Sequence, residues 1–248
     1  MTLQEFFAEN PKVALAFSGG VDSSYLLYAA TNCRAKVRAY YVKSVFQPRF
    51  ELDDARRLAS ELGADMKMLD VDVLNDPQIT TNSADRCYYC KYSIFNAIIK
   101  AAAEDGFSVL IDGTNASDDA GDRPGMRALG ELSVRSPLRE CGLTKAEVRR
   151  LSKKAGLFTW DKSAYACLAT RIPTGVEITE EMLQRTETAE DFLFSQGFAD
   201  FRVRMIGTAA RLQLPEAQLP LLLEKRQAIF SELKKSYSAV LLDLEVRE

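Results

Sequence analysis

The sequence predicts an α/β protein, with a parallel sheet covered by helices on both faces and a small α+β domain after it. Three observations predict it. Short apolar runs rich in strand formers alternate with helical patterns through about residue 157. The first run, "KVALAF" (12–17), opens directly onto "SGGVDSS" (18–24) and then onto a helical stretch. After about residue 175 the order becomes helix, strand, strand, helix, strand. A chain of 248 residues has room for one or two domains at roughly 150 residues each. The expected domains are a sheet domain over 1–175 and an α+β domain over 176–248.

Each element follows from its pattern. "YLLYAA" continues the first turn as a helix, and "KVRAYYV" (36–42) reads as a second strand. "FELDDARRLASELGA" (50–64) places apolar residues at helical spacing, with Gly63 as a C-cap. "DMKMLDVD" (65–72) is a third strand. "CYYCKYSIFNAIIKAAAEDG" (87–106) is a long helix closed by Gly106, and "FSVLIDGTN" (107–115) is a fourth strand entering a turn. "LTKAEVRRLSKKAGL" (143–157) carries a capping box, with Thr144 as N-cap and Glu147 three residues on. The second domain is read as the helix "EITEEMLQRTETAEDFLFSQG", the strands "FRVRMI" and "ARLQLP", the helix "EAQLPLLLEKRQAIFSELKKSYS" and the strand "AVLLDLEV".

Composition narrows the chemistry. The net charge of −3 gives no broad electrostatic grip on nucleic acid. No apolar run approaches the ~20 residues of a membrane span, and "MTLQEFFAENPK" lacks the pattern of a secretory signal. A cytoplasmic protein with no membrane or nucleic-acid partner is expected. Five cysteines in such a chain point to metal or catalysis rather than to disulfides. There is no histidine, so a metal must rest on thiolates and carboxylates.

The loop "SGGVDSS" lies where open α/β sheets bind ligands, outside the carboxyl end of a strand. Gly19 and Gly20 permit a tight turn and close backbone approach. Val21 starts the next helix, whose first N–H groups attract an anion. Ser18, Ser23 and Ser24 add hydroxyl donors, and Asp22 is suited to a Mg²⁺ that bridges phosphates. Neither G-x-x-x-x-G-K-[ST] nor G-x-G-x-x-G is present. The string resembles the PP-loop of the ATP pyrophosphatases. That resemblance implies an adenine nucleotide α-hydrolase-like fold and cleavage of ATP between its α- and β-phosphates. AMP would pass to an acceptor oxygen, commonly a carboxylate or a base carbonyl.

"ADRCYYCKYS" (84–93) raises a separate question. Its C-x-x-C pair alone is compatible with a redox couple, half of a metal site, or buried inert thiols. Three further strings belong with it: "DGTNASDDAGDRPGMRAL" (112–129), "SPLRECGLTKAEVR" (136–149) and "DKSAYACLATRIPTG" (161–175). Together with the loop they resemble the LarE-type ATP-dependent sulfur transferases, from the loop to about residue 180 and more loosely beyond. The resemblance implies adenylation of a carboxylate of pyridinium-3,5-biscarboxylic acid mononucleotide, then sulfur insertion as a thiocarboxylate, on the way to the nickel-pincer nucleotide cofactor of lactate racemase. Some members sacrifice the sulfur of one cysteine at the Cys167 position, which becomes dehydroalanine. Others hold a 4Fe–4S cluster on three cysteines. Cys87, Cys90 and Cys167 match the three-cysteine version, and three thiolates leave one iron open for a sulfide. Cys33 and Cys141 have no such context and read as structural.

The resemblance also implies the remaining site residues. ATP–Mg²⁺ is expected at Ser18–Ser24, with the adenine end near Tyr41–Lys43, including Lys43, and the Gly113–Thr114 turn. Catalytic roles fall to Asp22, Ser23 and Cys167. Arg202 and Arg204, alternating on one strand face, match a family "RVR" string that binds the substrate phosphate. A histidine commonly follows that string, where this chain has Met205 and Ile206. Arg123, Arg171 and Lys91 join the expected substrate contacts, and Arg86 and Lys91 flank the cysteine pair. The partner is a small nucleotide substrate, the sulfide supplier is unassigned, and a homo-oligomer is implied. Three other readings stay open on the sequence: a tRNA thiolase, an amidating ligase of the NAD-synthetase kind, and a non-catalytic ATP-binding sensor of iron or oxygen.

Overall fold

The computed structural model describes residues 1–118 and 124–247. These residues form two compact units, one of 1–73 and 85–162, the other of 74–84 and 163–247.

The first unit is built in the order α1 (Leu3–Glu9), β1 (Lys12–Ala16), α2 (Val21–Asn32), β2 (Lys36–Lys43), α3 (Arg49–Glu61) and β3 (Asp65–Asp70). The second unit contributes the short α4 (Pro77–Thr80). The first unit resumes with α5 (Arg86–Glu104), β4 (Leu110–Ile111), α6 (Pro124–Glu131), α7 (Pro137–Glu140) and α8 (Lys145–Lys154). Its sheet is parallel throughout, in the order β3-β2-β1-β4. The central strand β1 buries Val13, Ala14 and Leu15 completely, as expected when helices cover both faces. Alternate side chains feed two cores. Val13, Leu15, Ala39, Tyr41 and Ile111 pack with α1, α2, α3, α7 and α8. Ala14, Tyr40, Val42 and Leu110 pack with α5 and α6. The parallel α/β class expected from the alternation is therefore what forms.

Strand order reverses at β1, which has β2 on one side and β4 on the other. Successive crossovers leave that point in opposite directions and open a crevice at the carboxyl ends of β1 and β4. The segment Ser18–Ser24 follows β1 at that crevice.

The expected strand over 107–115 shortens to Leu110–Ile111. Beyond Ile111 the backbone pairs with Arg135, and the Asp112 carboxylate turns back to accept from Thr114 N, Thr114 Oγ1 and Ser136 Oγ. Those side-chain bonds replace the sheet ladder.

The second unit contains α9 (Glu180–Ser195), β5 (Arg202–Ile206), β6 (Ala209–Gln213), α10 (Leu219–Leu233) and β7 (Val240–Leu242). β5 and β6 are antiparallel, and β7 joins parallel to β6 at the edge. The expected C-terminal helix loses its first three residues to a 3₁₀ turn (Glu216–Gln218), because Pro220 is tolerated only in the first turn of an α-helix. The last strand is shorter than expected; β7 is an edge strand with one neighbour, and Leu241 and Leu242 are exposed.

The division between units falls after Lys162 rather than at residue 175. Asn82 ties the segment 74–84 to the second unit. Its backbone is left-handed (φ 54°), which Asn adopts more readily than most residues. Its Nδ2 donates to Ile172 O at 3.3 Å and Pro173 O at 2.8 Å, and its carbonyl accepts from Gly175 N. Thr80 O accepts from Ile178 N in the same way. The segment 74–84 is thereby tied to 172–178.

Candidate active site

The turn after β1 is shaped by its own side chains. Gly19 has φ +72°, a conformation L side chains rarely adopt, and a Cβ there would lie 3.1 Å from Ala55 Cβ of α3. Ser18 Oγ and Ser23 Oγ lie 3.1 Å apart, and Ser23 Oγ also reaches Ser18 N and Gly20 O. Gly20 is the N-cap of α2 and supplies no side-chain cap, so the first N–H groups of the helix stay open to a ligand. Ser24 Oγ is fully buried, with no hydrogen-bond partner among the described residues. On the far side, a Cβ at Gly113 would lie 2.8 Å from Ser23 N. The Asp112–Thr114 turn thus presses against the first turn of α2, and only glycine allows it. A cradle of N–H groups and hydroxyls closed by two glycines fits a phosphate chain.

Asp22 is held from two directions. Lys145 Nζ lies 2.5 Å from its Oδ2, and Asn115 Nδ2 donates to Oδ1 at 3.3 Å. Asn115 is buried and fixed in turn by Ser117 N and Asp118. Lys162 Nζ approaches Gly19 O at 3.5 Å while pairing with Asp54 at 2.7 Å. Two lysines therefore reach a loop that contains none. Sequence reading missed both, and missed Asn115. The signal available for Lys145 was its place at the first position of a helix, where a cation opposes the macrodipole.

Lys43 ends β2 with its side chain exposed, and Thr114 is buried on Asp112. Between them in character is Tyr41, whose hydroxyl is buried without a partner among the described residues; burial pushes its pKa up.

Cys87 lies in the first turn of α5 and is exposed, and Cys90 opens the next turn and is half-buried. Residues three apart on a helix face the same way, so the pair can offer two thiolates to one metal centre. Arg86 Nη2 is 3.6 Å from Cys87 Sγ. Tyr88 OH donates to Glu131 at 2.7 Å, and Arg127 stacks on the Tyr88 ring, which fixes this turn against α6. Lys91 runs along Gly125 of α6, whose missing side chain makes the space. Cys167 belongs to the other unit, as a half-buried residue just before a 3₁₀ turn (Leu168–Arg171). Among the described residues no three Cys, Asp or Glu side chains are gathered as a metal site.

In the second unit, Arg202 and Arg204 share a face of β5, as the strand period requires. Arg202 is 5% exposed and donates to Phe201 O and Ala164 O. Burial, then the nearby Arg171 and Arg247, push its pKa down to about 10, so it stays cationic at neutral pH. Arg204 is half-buried, donates to Thr170 O and Gln213, and is held below its ordinary value by burial. Asp200 Oδ1 lies 3.9 Å from Arg202 Nη1. Met205 points to the opposite, core side, 4% exposed.

Arg171 was expected to face the nucleotide or the substrate, and the structure gives it a different position. It is 1% exposed and donates to both oxygens of Glu190 at 2.8 and 2.9 Å, and to Ala166 O at 2.7 Å. A guanidinium so committed positions the Cys167 segment. Glu190, which also accepts from Val203 N and Tyr165 OH, carried no recognisable signal in the sequence. Arg123 lies outside the described residues.

Residues 7–118 match the asparagine synthase family model. An uncharacterised protein of Synechocystis sp. is 37% identical over 88% of this chain and 81% of its own length. The pyridinium-3,5-bisthiocarboxylic acid mononucleotide synthase of Lactiplantibacillus plantarum is 35% identical over 88% of this chain and 80% of its own. An uncharacterised protein of Methanocaldococcus jannaschii is 28% identical over 98% of this chain and 93% of its own.

Proposed function

The chain belongs to the LarE-type ATP-dependent sulfur transferases of the PP-loop ATP pyrophosphatase superfamily, and from that membership we propose that it makes a thiocarboxylate from pyridinium-3,5-biscarboxylic acid mononucleotide for the nickel-pincer nucleotide. The observation that carries the reading is the cradle at Ser18–Ser24, placed at the reversal of strand order and closed by Gly113.

ATP enters that cradle with its β- and γ-phosphates on the open N–H groups of α2 and on the hydroxyls of Ser18, Ser23 and Ser24. The Gly113–Thr114 turn and the end of β2, with Lys43, face the nucleoside. Bound Mg²⁺ would neutralise phosphate charge, and Asp22 is the residue that would hold it. A substrate carboxylate oxygen attacks the α-phosphorus and the α–β P–O bond breaks. Pyrophosphate leaves onto the helix N-terminus, whose fixed dipoles favour the charge that develops. No histidine is needed to generate the nucleophile, because a carboxylate of pKa ~4 is already ionised at neutral pH. A sulfur nucleophile then adds to the acyl carbon and AMP departs with the former carboxylate oxygen. Arg202 and Arg204 bind the substrate phosphate, and Arg123 and Lys91 stay as further proposed substrate contacts.

Cys87, Cys90 and Cys167 remain the sulfur-bearing set. A 4Fe–4S cluster on these three thiolates would supply one iron able to bind sulfide. The support is the number and type of the ligands and the single face shared by Cys87 and Cys90. Cys167 as a sacrificial donor is the other form of the same proposal. A homo-oligomer is also proposed from the family, and the sulfide supplier is unassigned. No helix among the described residues is long and apolar enough to cross a membrane.

The test is direct. The protein is incubated anaerobically with Mg²⁺, ATP and the biscarboxylate mononucleotide. Pyrophosphate is measured by an enzymatic assay and the mononucleotide by mass spectrometry. Pyrophosphate release that depends on the mononucleotide, with oxygen replaced by sulfur in the product, is expected. Release that ignores the mononucleotide would overturn the assignment of substrate.

A further inference from the structure

In the second unit, the short segment 164–167 is gripped by two guanidiniums. Arg202 Nη2 donates to Ala164 O, and Arg171 Nη1 donates to Ala166 O at 2.7 Å and to Cys167 O at 3.4 Å. Tyr165 stands between those contacts in sequence and meets both cations. Arg171 Cζ lies over its ring, 4.4 Å from the centroid, and Arg202 Cζ lies over it at 5.1 Å. The Tyr165 hydroxyl donates to Glu190 Oε2, which Arg171 Nη2 also reaches at 2.9 Å. The two arginines differ in their anions. Arg171 has both oxygens of Glu190. Asp200 Oδ1 stands 3.9 Å from Arg202 and closer, at 2.9 Å, to Arg247. Burial and the like charges of Arg171 and Arg247 work against the Arg202 cation, and the π face of Tyr165 works for it.

We propose that Tyr165 is a positioning residue for the substrate, its ring holding the Arg202 guanidinium in the orientation that receives the substrate phosphate. The proposal rests on the reading of Arg202 and Arg204 as phosphate-binding. An aromatic face suits this task better than a carboxylate. It attracts a guanidinium through the ring quadrupole and takes up none of its N–H groups. A carboxylate would accept from the same donor fork that a phosphate needs, and would compete with it. Arg202 spends part of that fork on Phe201 O and Ala164 O, which fix the group from its own strand and from the residue before Tyr165. The hydroxyl contact to Glu190 anchors the ring, and Glu190 keeps Arg171 and Val203 N as partners without it. Tyr165 also precedes Cys167 by two residues, so one short segment carries both the thiol and the support of the arginine.

Steady-state pyrophosphate release by the full chain tests this, with KM measured separately for the biscarboxylate mononucleotide and for ATP. Wild type, Tyr165→Phe, Tyr165→Leu and Arg202→Met are compared, each with its urea midpoint. Tyr165→Leu loses the π face and should raise the mononucleotide KM by roughly three- to thirtyfold, with the KM for ATP unchanged. Tyr165→Phe keeps the ring and should hold the mononucleotide KM within about twofold of wild type. A Leu variant with the wild-type mononucleotide KM, or a Phe variant as impaired as Leu, overturns the proposal, with the reading of Arg202 intact if Arg202→Met still raises that KM. A rise in both KM values with a lowered urea midpoint would make Tyr165 a packing residue and overturns it equally. If Arg202→Met leaves the mononucleotide KM unchanged, the phosphate reading of that arginine fails and the proposal falls with it. Should the Leu variant not fold, Tyr165→Met replaces it, filling the space without a π face.

Discussion

Arg171 and Glu190 form a two-pronged ion pair, Nε to Oε1 at 2.8 Å and Nη2 to Oε2 at 2.9 Å, with side chains 0% and 1% exposed. The pair joins three segments. Arg171 carries the carbonyls of Ala166 and Cys167, and Glu190 on α9 carries Val203 N of the arginine-bearing strand. Burial opposes the guanidinium charge, and the Glu190 carboxylate outweighs it, so Arg171 is held above its ordinary value. Breaking a buried pair from one side leaves an uncompensated charge and costs about 3–5 kcal/mol. Glu190→Ala should therefore lower the urea midpoint sharply. A double change to Arg171→Met and Glu190→Leu should recover much of the loss. Equal midpoints for wild type and Glu190→Ala would show that the pair does not hold the unit together.

Gly113→Ala should damage the nucleotide site more than the fold. The added Cβ would meet Ser23 N at 2.8 Å, a backbone atom that moves only with the first turn of α2. Overpacking of this kind costs about 1–3 kcal/mol. The displaced N–H groups are those proposed to hold pyrophosphate. ATP affinity, followed by fluorescence of a labelled analogue, should fall by an order of magnitude or more. The fall in melting temperature should stay modest. Gly130→Ala is the control, because a Cβ there meets nothing within 4 Å.

Much of this was legible in the sequence, for identifiable reasons. The loop could be read because Gly19, Gly20 and the serines act through local backbone geometry, which neighbouring residues encode. The capping box at Thr144 and Glu147 was equally local, and it forms as expected. What could not be read was long-range pairing. Lys145 reaches Asp22 across 123 residues. Arg171 looked like a site residue because an arginine beside a cysteine carries no mark of its partner, and Glu190 lies nineteen residues away on another helix. The strand ends were misplaced where side chains took over the hydrogen bonding, as Asp112 does after β4. Asn82 likewise ties its segment to one ninety residues on.

Asp22→Asn should abolish ATP-dependent pyrophosphate release. The amide keeps the size of the side chain and loses the charge that Lys145 and a divalent cation both need. Circular dichroism should be unchanged, since Asp22 contributes one partly exposed ion pair, worth about 1 kcal/mol or less. Turnover at the wild-type rate would remove Asp22 from the site.

Asp105 gives a pH signature that is independent of catalysis. Lys67 at 2.9 Å, Tyr40 OH at 2.9 Å and Arg38 at 3.1 Å surround its carboxylate. Hydrogen bonds from Lys67 and then Tyr40, only partly opposed by burial, bring its pKa down to about 2. A depressed carboxylate stabilises the fold fully above its unfolded pKa, near 3.8, and loses that contribution as pH falls through about 2. Asp105→Asn should melt below wild type at pH 7. The gap should narrow below pH 4 and close near pH 2. A gap constant with pH would mean that the charge contributes nothing.

The cysteines separate the two forms of the sulfur step. In both, adenylation precedes sulfur transfer and uses none of the three thiols. Cys167→Ala should therefore still release pyrophosphate with the mononucleotide present, yet yield no thiocarboxylate. Loss of both steps would mean that Cys167 supports the fold through the carbonyl that Arg171 and Thr170 hold. Iron and acid-labile sulfide on anaerobically purified protein then decide the role of Cys87 and Cys90. About four of each per chain, lost in Cys87→Ser, would make the pair cluster ligands and the enzyme capable of repeated turnover. No iron under strict anaerobiosis, with a mass loss at Cys167 after one turnover, would assign the sulfur to Cys167 itself. The exposed Cys87 would then be a thiol that the reaction does not use.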